Sequence, residues 1–592
     1  MTAIIVLIGA AIYLVSYFTY GKALEKNVVR VDTKRETPAV RLRDNVDYIP
    51  ANKFVLFGHH FASIAGAGPI AGPAIAMVWG WLPSILWVWF GNLFIGSVHD
   101  YLSLMASVRY DGKSIQWVAG KLMGERTKTV FELYVLFAMI LVIAAFMATF
   151  TGLAVKSPQV LTGTFLFILI AVIEGLILYK SKISFNIATI IGVIMLVFVV
   201  FVSFKWPFLD VTKMDPTKAA HLLYVCQFIY IVLAAALPVW ILLQPRDYLN
   251  SFLLYAGLAL GLIGAVISFR GFTWPAFTTF SAKAVGGQPS PFWPTVPLVI
   301  ACGALSGFHS IVGSGTTSKQ LDKEISGLFV GYGAMFTEGF LSTIVITSIG
   351  AFGLEVLGAA AAKVTELGVD MAQLTAGGAY LGNTYVKAAN AVGGTLAVFT
   401  KSYGLMLNKA LTIPSTFGAT FAGLWVSAFV MTTLDTTNRL GRYAWTELWE
   451  PVKNASAGLY AILSNRWIAS IVVAAIGLWL AWGNAYTVLW AGFAGTNQLL
   501  ASIAMLTAAS WVKNVQKAGK WATAVIIPAI FLWITVFVAL VWYLIKVVPT
   551  LAGATKVPMY IFTIVMLILD LVLVAEFFVS YRKGPEVEGS KA

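Results

Sequence analysis

The chain has little of what a water-soluble protein needs. Only 11% of its 592 residues are charged while 59% are apolar, whereas a soluble domain carries nearer a quarter charged residues to face water. That shortfall excludes a soluble globular protein of this length and leaves hydrocarbon as the solvent. Cysteine is scarcer still: the two present, Cys226 and Cys302, lie in apolar segments, so no disulfide framework follows. Acidic residues number 26 against 40 basic ones. In a soluble chain that excess would suggest nucleic acid as a partner. Here the Lys and Arg sit in short loops beside apolar runs, the pattern of membrane orientation. No basic stretch precedes the first apolar run, and Lys22 and Lys26 follow it, which points to a retained first helix and not a cleaved signal peptide.

Apolar segments run from Thr2 to Tyr581 without a long polar break. A crossing helix needs about 20 mostly apolar residues. On that criterion the chain is an all-α polytopic membrane protein of about 15 to 17 transmembrane helices, forming one domain over residues 1–592. The first span is Thr2–Tyr20, the second Phe54–Trp79, the ninth Val296–Gly315 and the last Met559–Ser580. Spans at Leu222–Leu243 and Leu249–Phe269 leave Arg246 and Asp247 in the connection between them. The Gly-rich stretch Ala379–Leu407 reads as two outer-surface helices or one irregular crossing. Gly441–Asn465, with Trp445 and Trp449 one turn apart, reads as an interfacial helix, and Arg270–Pro294 as an ordered outer loop. Placing the Lys22–Lys53 loop in the cytoplasm collects most of the 40 basic residues on that side. The N-terminus is then outside, and the C-terminus, with Arg582 and Lys583, inside.

Two spans break the helical pattern alike. The second contains Gly58-His-His-Phe-Ala-Ser-Ile-Ala-Gly-Ala-Gly-Pro69, and the ninth contains Gly303-Ala-Leu-Ser-Gly-Phe-His-Ser-Ile-Val-Gly-Ser-Gly-Thr316. Glycine costs about 1 kcal/mol inside a helix, and Pro69 and Pro73 remove backbone donors. Such backbone survives at membrane depth only where protein or a water-filled cavity satisfies it. A half-helix N-terminus then offers N–H groups to a carboxylate. Paired interrupted helices crossing in opposite senses are the sequence mark of a transporter binding site built on an inverted repeat. The expected substrate-binding residues are Ser63, Gly66, Ala67, Gly68, Ser310, Gly313, Ser314 and Gly315. Close helix packing through small residues also accounts for these glycines.

Ionisable residues at membrane depth are costly and functional by default. His99 and Asp100 fall near the bilayer centre; Glu338 and Asp570 are also deep, and His60 and His309 belong to the broken spans. Proton coupling is expected through His60, Asp100, His309 and Glu338, with His99 in support. Glu132, Glu174, Asp435 and Glu576 are expected to pair with Lys128, Lys180, Arg439 and Arg582. A sodium site using the Ala65 carbonyl and the Thr432 and Thr433 hydroxyls is the rival coupling arrangement. The alternative on the histidines is an intramembrane metalloprotein using His59, His60, His99 and Asp100. Adjacent histidines rarely point the same way and no cysteine joins them, so no metal, no other cofactor and no catalytic residue is expected. A channel or a nutrient sensor is a third class.

The segment Asn45–Pro73 closely resembles the signature of the carbon starvation protein A family. Further matching patches are Gly96–Tyr101, Ser306–Ser310, Gly313–Lys319 and Thr432–Arg439. The resemblance implies a carrier of the bacterial cytoplasmic membrane induced by carbon limitation, not an enzyme. It also implies a LeuT-like inverted repeat and import of pyruvate or short peptides with protons. Its partners would be a small carboxylate or peptide and membrane lipid, with no nucleic acid.

Overall fold

The computed structural model describes residues 1–44, 48–237, 241–483, 486–551 and 556–583; of the signature segment, Asn45, Val46 and Asp47 lie outside them. The first four principal helices are α1 (Thr2–Val29), α2 (Lys53–Ala65), α3 (Gly68–Trp79) and α4 (Trp81–Arg109). Next come α5 (Glu125–Ala154), α6 (Pro158–Lys180), α7 (Phe185–Lys205), α8 (Pro216–Ala236) and α9 (Leu243–Ser268). The hairpin β1 (Ser281–Val285) and β2 (Gln288–Pro291) precedes the short helices α10 (Phe292–Val299) and α11 (Gly307–Gly315). Beyond them are α12 (Glu324–Gly358), α13 (Gly378–Ala389), α14 (Thr395–Leu411) and α15 (Ser415–Leu448). The chain closes with α16 (Arg466–Ala481), α17 (Tyr486–Ser510), α18 (Gly519–Thr550) and α19 (Lys556–Lys583).

Helix starts follow local chemistry. Asn52, Ser157, Asp215 and Asn465 each accept a backbone N–H of the first turn they precede, and Pro158 and Pro216 open their helices. Among the described residues 12 helices are long and apolar enough to cross a bilayer, or up to 14 with two bent pairs. This is fewer than the sequence suggests, for identifiable reasons. The ninth span is divided into helices of 8 and 9 residues. The Ala379–Leu407 stretch is two helices, α13 and the 17-residue α14. The interfacial helix over 441–465 is also corrected. Helix α15 continues to Leu448, carrying Trp445, and two short helices of 4 and 7 residues, Val452–Ala455 and Ala457–Leu463, lie before α16. The Arg270–Pro294 loop is ordered by burial of Trp274, whose indole N–H donates to the Met77 carbonyl at 2.9 Å.

Burial ranks the helices from centre to rim. The most apolar stretch of Val488–Val515, which holds all but the first two residues of α17, is wholly enclosed, whereas only a third of that in α7 is buried, and Ile190, Ile194, Val197 and Phe198 of α7 face outward. Loops assigned to one side of the membrane gather at one end of the bundle. Asp32, Arg35 and Arg109 all reach Glu324, and Arg41 pairs with Asp111. At the opposite end Arg270 pairs with Glu355, and the Thr2 N–H donates to the Arg270 carbonyl.

Candidate functional site

The first discontinuity lies between α2 and α3, which are bent by 42°. Gly66 takes φ +36° and ψ −156°, a conformation that side chains resist. A Cβ there would also lie 2.8 Å from Thr433 Oγ1 and 3.0 Å from Phe146. Pro69 has no N–H to extend α2. At the start of α3 the N–H groups of Ala67 and Gly68 find no backbone acceptor among the described residues. Ser63 donates its hydroxyl to the His59 carbonyl and does not face the break.

The second discontinuity is the non-helical stretch Ile300–Ser306, bent at Cys302–Ala304, between α10 and α11. The two broken segments run antiparallel. Trp79, at the end of α3, donates to the Ser290 carbonyl, while the Ala51 N–H, just before α2, donates to the Gln320 carbonyl beyond α11. Their breaks meet: a Cβ on Gly68 would lie 2.2 Å from Cys302 Sγ, and one on Gly72 2.6 Å from the Val299 carbonyl oxygen. The freed carbonyls of the second break are satisfied by side chains. Gln498 donates to Pro297 and Ile300, Trp490 to Val299 and Asn92 to Gly303. Asn497 accepts the Phe308 N–H at 2.8 Å, so the N-terminus of α11 is already capped.

This geometry corrects the expected substrate constellation. Ser310, Gly313, Ser314 and Gly315 are not at the second break but further along α11. The chain leaves the helix after Val299, before His309, whereas Gly-Ser-Gly at 313–315 stays helical. Ser310 donates to the Gly307 carbonyl, Ser314 accepts the Ile115 N–H, and Gly313 and Gly315 face Leu104 and Leu440. Of the eight residues, only Gly66, Ala67 and Gly68 line the junction of the breaks.

The ionisable residues do converge. Asp100 on α4 accepts His99 Nδ1 at 2.7 Å on one oxygen and His309 Nδ1 at 2.8 Å on the other. His309 Nε2 stands 3.3 Å from a carboxylate oxygen of Glu338 on α12. A chain His99–Asp100–His309–Glu338 thus crosses three helices, wholly buried. His60 stands apart, its Nδ1 bonded to Thr317 Oγ1 at 2.8 Å. The proposed metal set is not assembled, because His59 faces Asp247 while His60 and His99 have the partners just given. The donors nearest a metal-like arrangement are Cys302 Sγ, His309 and Glu338, within 4.8 Å of one another.

Of the sodium candidates, Thr432 accepts from Asn250 and donates to the Ala428 carbonyl, so its hydroxyl is committed. Thr433 Oγ1 is buried beside Gly66 without a hydrogen-bond partner, and Ala65 is fully buried. Arg246 and Asp247 are not in a loop. Helix α9 begins at Leu243, so both lie within its first two turns, buried. Asp435 pairs with Arg246 and not with Arg439, which donates to the Ala234 and Leu237 carbonyls. Glu132 does pair with Lys128, at 3.6 Å, while Glu576 pairs with Arg126 at 3.4 Å. Glu174 is buried with neither oxygen hydrogen-bonded, and Asp570 accepts from Trp533 at 2.6 Å. The one sequence signal for Arg246 and Asp247 was the occurrence of adjacent opposite charges between two apolar runs.

Fold and site together define a polytopic all-α membrane protein whose two discontinuous helices meet beside a buried chain of ionisable groups. The chain belongs to the carbon starvation protein CstA family, whose model matches residues 1–539. It is 31% identical to the peptide transporter CstA of Bacillus subtilis, over 96% of this chain and 95% of that one. It is 29% identical to the pyruvate/proton symporter BtsT of Escherichia coli, over 93% of this chain and 82% of that one. A solved manganese transporter of Eremococcus coleocola aligns over 92% of this chain and 99% of its own at 12% identity. Its TM-score of 0.39 is too low to define the fold.

Proposed function

We propose that this chain is a secondary active carrier that imports pyruvate or short peptides across the bacterial cytoplasmic membrane during carbon limitation. In this reading its N-terminus is outside, protons drive uptake, and the protein catalyses no covalent chemistry. The observation that carries the reading is the buried His99–Asp100–His309–Glu338 chain, which reaches the antiparallel broken helices. A histidine held between two carboxylates on different helices can take up a proton and pass it on as the helices shift. Relatives named as peptide transporter and pyruvate/proton symporter support the same substrates and ion. The substrate carboxylate docks on the free N–H groups of Ala67 and Gly68 at the start of α3, where the helix dipole favours an anion. The paired breaks are the two arms of a LeuT-like inverted repeat. His60, bonded to Thr317, is a positioning group on the same helix as the break.

The test is uptake of labelled pyruvate into proteoliposomes, competed by di- and tripeptides. A pH gradient alone, without sodium, is expected to drive accumulation and to dissipate as substrate enters. A second reading has one specific observation behind it, the unpartnered Thr433 hydroxyl beside Gly66, which would suit sodium. Uptake that needs a sodium gradient and ignores pH selects that reading. Stoichiometric metal in the purified protein would overturn both in favour of a metalloprotein.

A further inference from the structure

A second ionic cluster, separate from the Asp100 chain, lies where α2, α8, α9 and α15 meet. Arg246 grips Asp435 with both terminal nitrogens, one of them at 2.9 Å, and reaches Asp247 Oδ1 at 3.0 Å. It also donates to Tyr230 and, at 3.3 Å, to the Met431 carbonyl. Asp435 further accepts the Thr436 N–H at 3.0 Å and the Tyr230 hydroxyl at 3.1 Å. All these ionic groups are buried.

The charges do not balance. Two carboxylates face one guanidinium, which leaves one negative charge in a low-dielectric interior, a cost of several kcal/mol when uncompensated. The excess has a definite address. Every oxygen of Asp435 is engaged, whereas Asp247 Oδ2 is buried with no hydrogen-bond partner. Facing it at 3.6 Å is Nδ1 of His59, whose side chain is 18% exposed and so not sealed in the core as Asp247 is. The other titratable groups around the cluster are otherwise engaged or turned elsewhere. His60 on α2 faces Thr317, Tyr248 on α9 bonds to Thr189, Glu174 on α6 packs against Gly192 of α7, and Arg439 on α15 points its guanidinium away from the carboxylates, to the Ala234 and Leu237 carbonyls. Glu174 is an acid, so it cannot supply the missing positive charge.

We propose that His59 and Asp247 form a second proton-binding site, in which protonated His59 completes a neutral set with Arg246, Asp247 and Asp435. The proton enters on His59 and is held against Asp247 Oδ2; its release leaves the excess charge uncovered. Because His59 belongs to α2 and Asp247 to α9, the bound proton draws the first broken helix onto α9, and its loss weakens that contact. The inference rests on the proton-coupled reading and deepens it: a second protonation site, on α2 itself, acts on the helix that carries the break.

The experiment measures the proton-to-pyruvate ratio from the reversal potential of labelled pyruvate flux in proteoliposomes. This potential does not depend on how many carriers remain active. Asp247→Asn removes the excess charge, so His59 need no longer be protonated, and the ratio is expected to fall by one proton per pyruvate. His59→Gln, which keeps a polar side chain but cannot titrate, is expected to give the same fall and serves if Asp247→Asn does not fold. An unchanged ratio in a variant that transports overturns the inference and leaves proton coupling standing. A wild type indifferent to pH overturns the coupling itself. Sodium that stimulates wild-type uptake but not Asp247→Asn uptake overturns the proton as occupant and assigns the site to sodium.

Discussion

Asp100 owes its two bonds to position: from α4 it reaches a neighbour in sequence, His99, and a residue 209 positions away, His309. If it relays the coupling proton, Asp100→Asn should keep exchange of pyruvate for pyruvate but lose accumulation against a gradient, read in the same proteoliposomes. Loss of both would make the residue structural. Arg246 presents the opposite case, a charge whose removal strands its partners. Arg246→Leu leaves two buried carboxylates and is expected to cost about 3–5 kcal/mol, seen as a lower melting midpoint of the purified protein. Adding Asp435→Leu should recover part of that loss, since removing both members of a buried pair is cheaper than removing one. No recovery would mean that Arg246 stabilises through its contacts to Tyr230 and Met431 instead.

At the scale of elements, the two broken helices depend on each other. Gly68 is small because Cys302 occupies the space that a side chain would need, with Sγ 2.2 Å from the position of a Cβ. Gly68→Ala should therefore abolish uptake and lower stability, and Cys302→Gly in the same chain should restore part of both. Failure of the rescue would place the defect in α3 itself and not in the contact between breaks. Gly66 is a poorer probe of substrate space, because any side chain there meets an unfavourable φ as well as Thr433 and Phe146. The breaks also depend on α17, whose Asn497 and Gln498 take up N–H and carbonyl groups of the second one. Gln498→Leu leaves the Pro297 and Ile300 carbonyls unpartnered and is expected to cost about 1–3 kcal/mol in the same melting assay.

For the whole molecule, the sorting of loops to two ends carries the orientation. Thr33 is exposed at the end where Arg35, Arg109 and Glu324 gather, and Glu366 follows α12, which leaves that end at Glu324. In a chain with exposed Cys226 replaced by Ser, a cysteine at Glu366 should react with a membrane-impermeant maleimide on intact cells. A cysteine at Thr33 should react only after the cells are opened. Reaction of the Thr33 variant from outside would invert the topology and move the basic loops to the wrong face.

What the sequence determined by itself is what local chemistry controls. Apolar runs had to become membrane helices because hydrocarbon cannot satisfy open backbone, and Gly66 with Pro69 had to interrupt the second of them. The antiparallel sense of the two breaks was also readable, from the number of spans between them. Pairing across the chain was not. Asp435 has Arg439 one turn away, yet its partner is Arg246, 189 positions distant, because α15 turns that face to α9. Ser310, Gly313, Ser314 and Gly315 repeat the composition of the first break, but the true discontinuity precedes them. Only the tertiary structure, by supplying Asn497 and Gln498 to Ile300–Phe308, decided which small residues stay helical and which are held open.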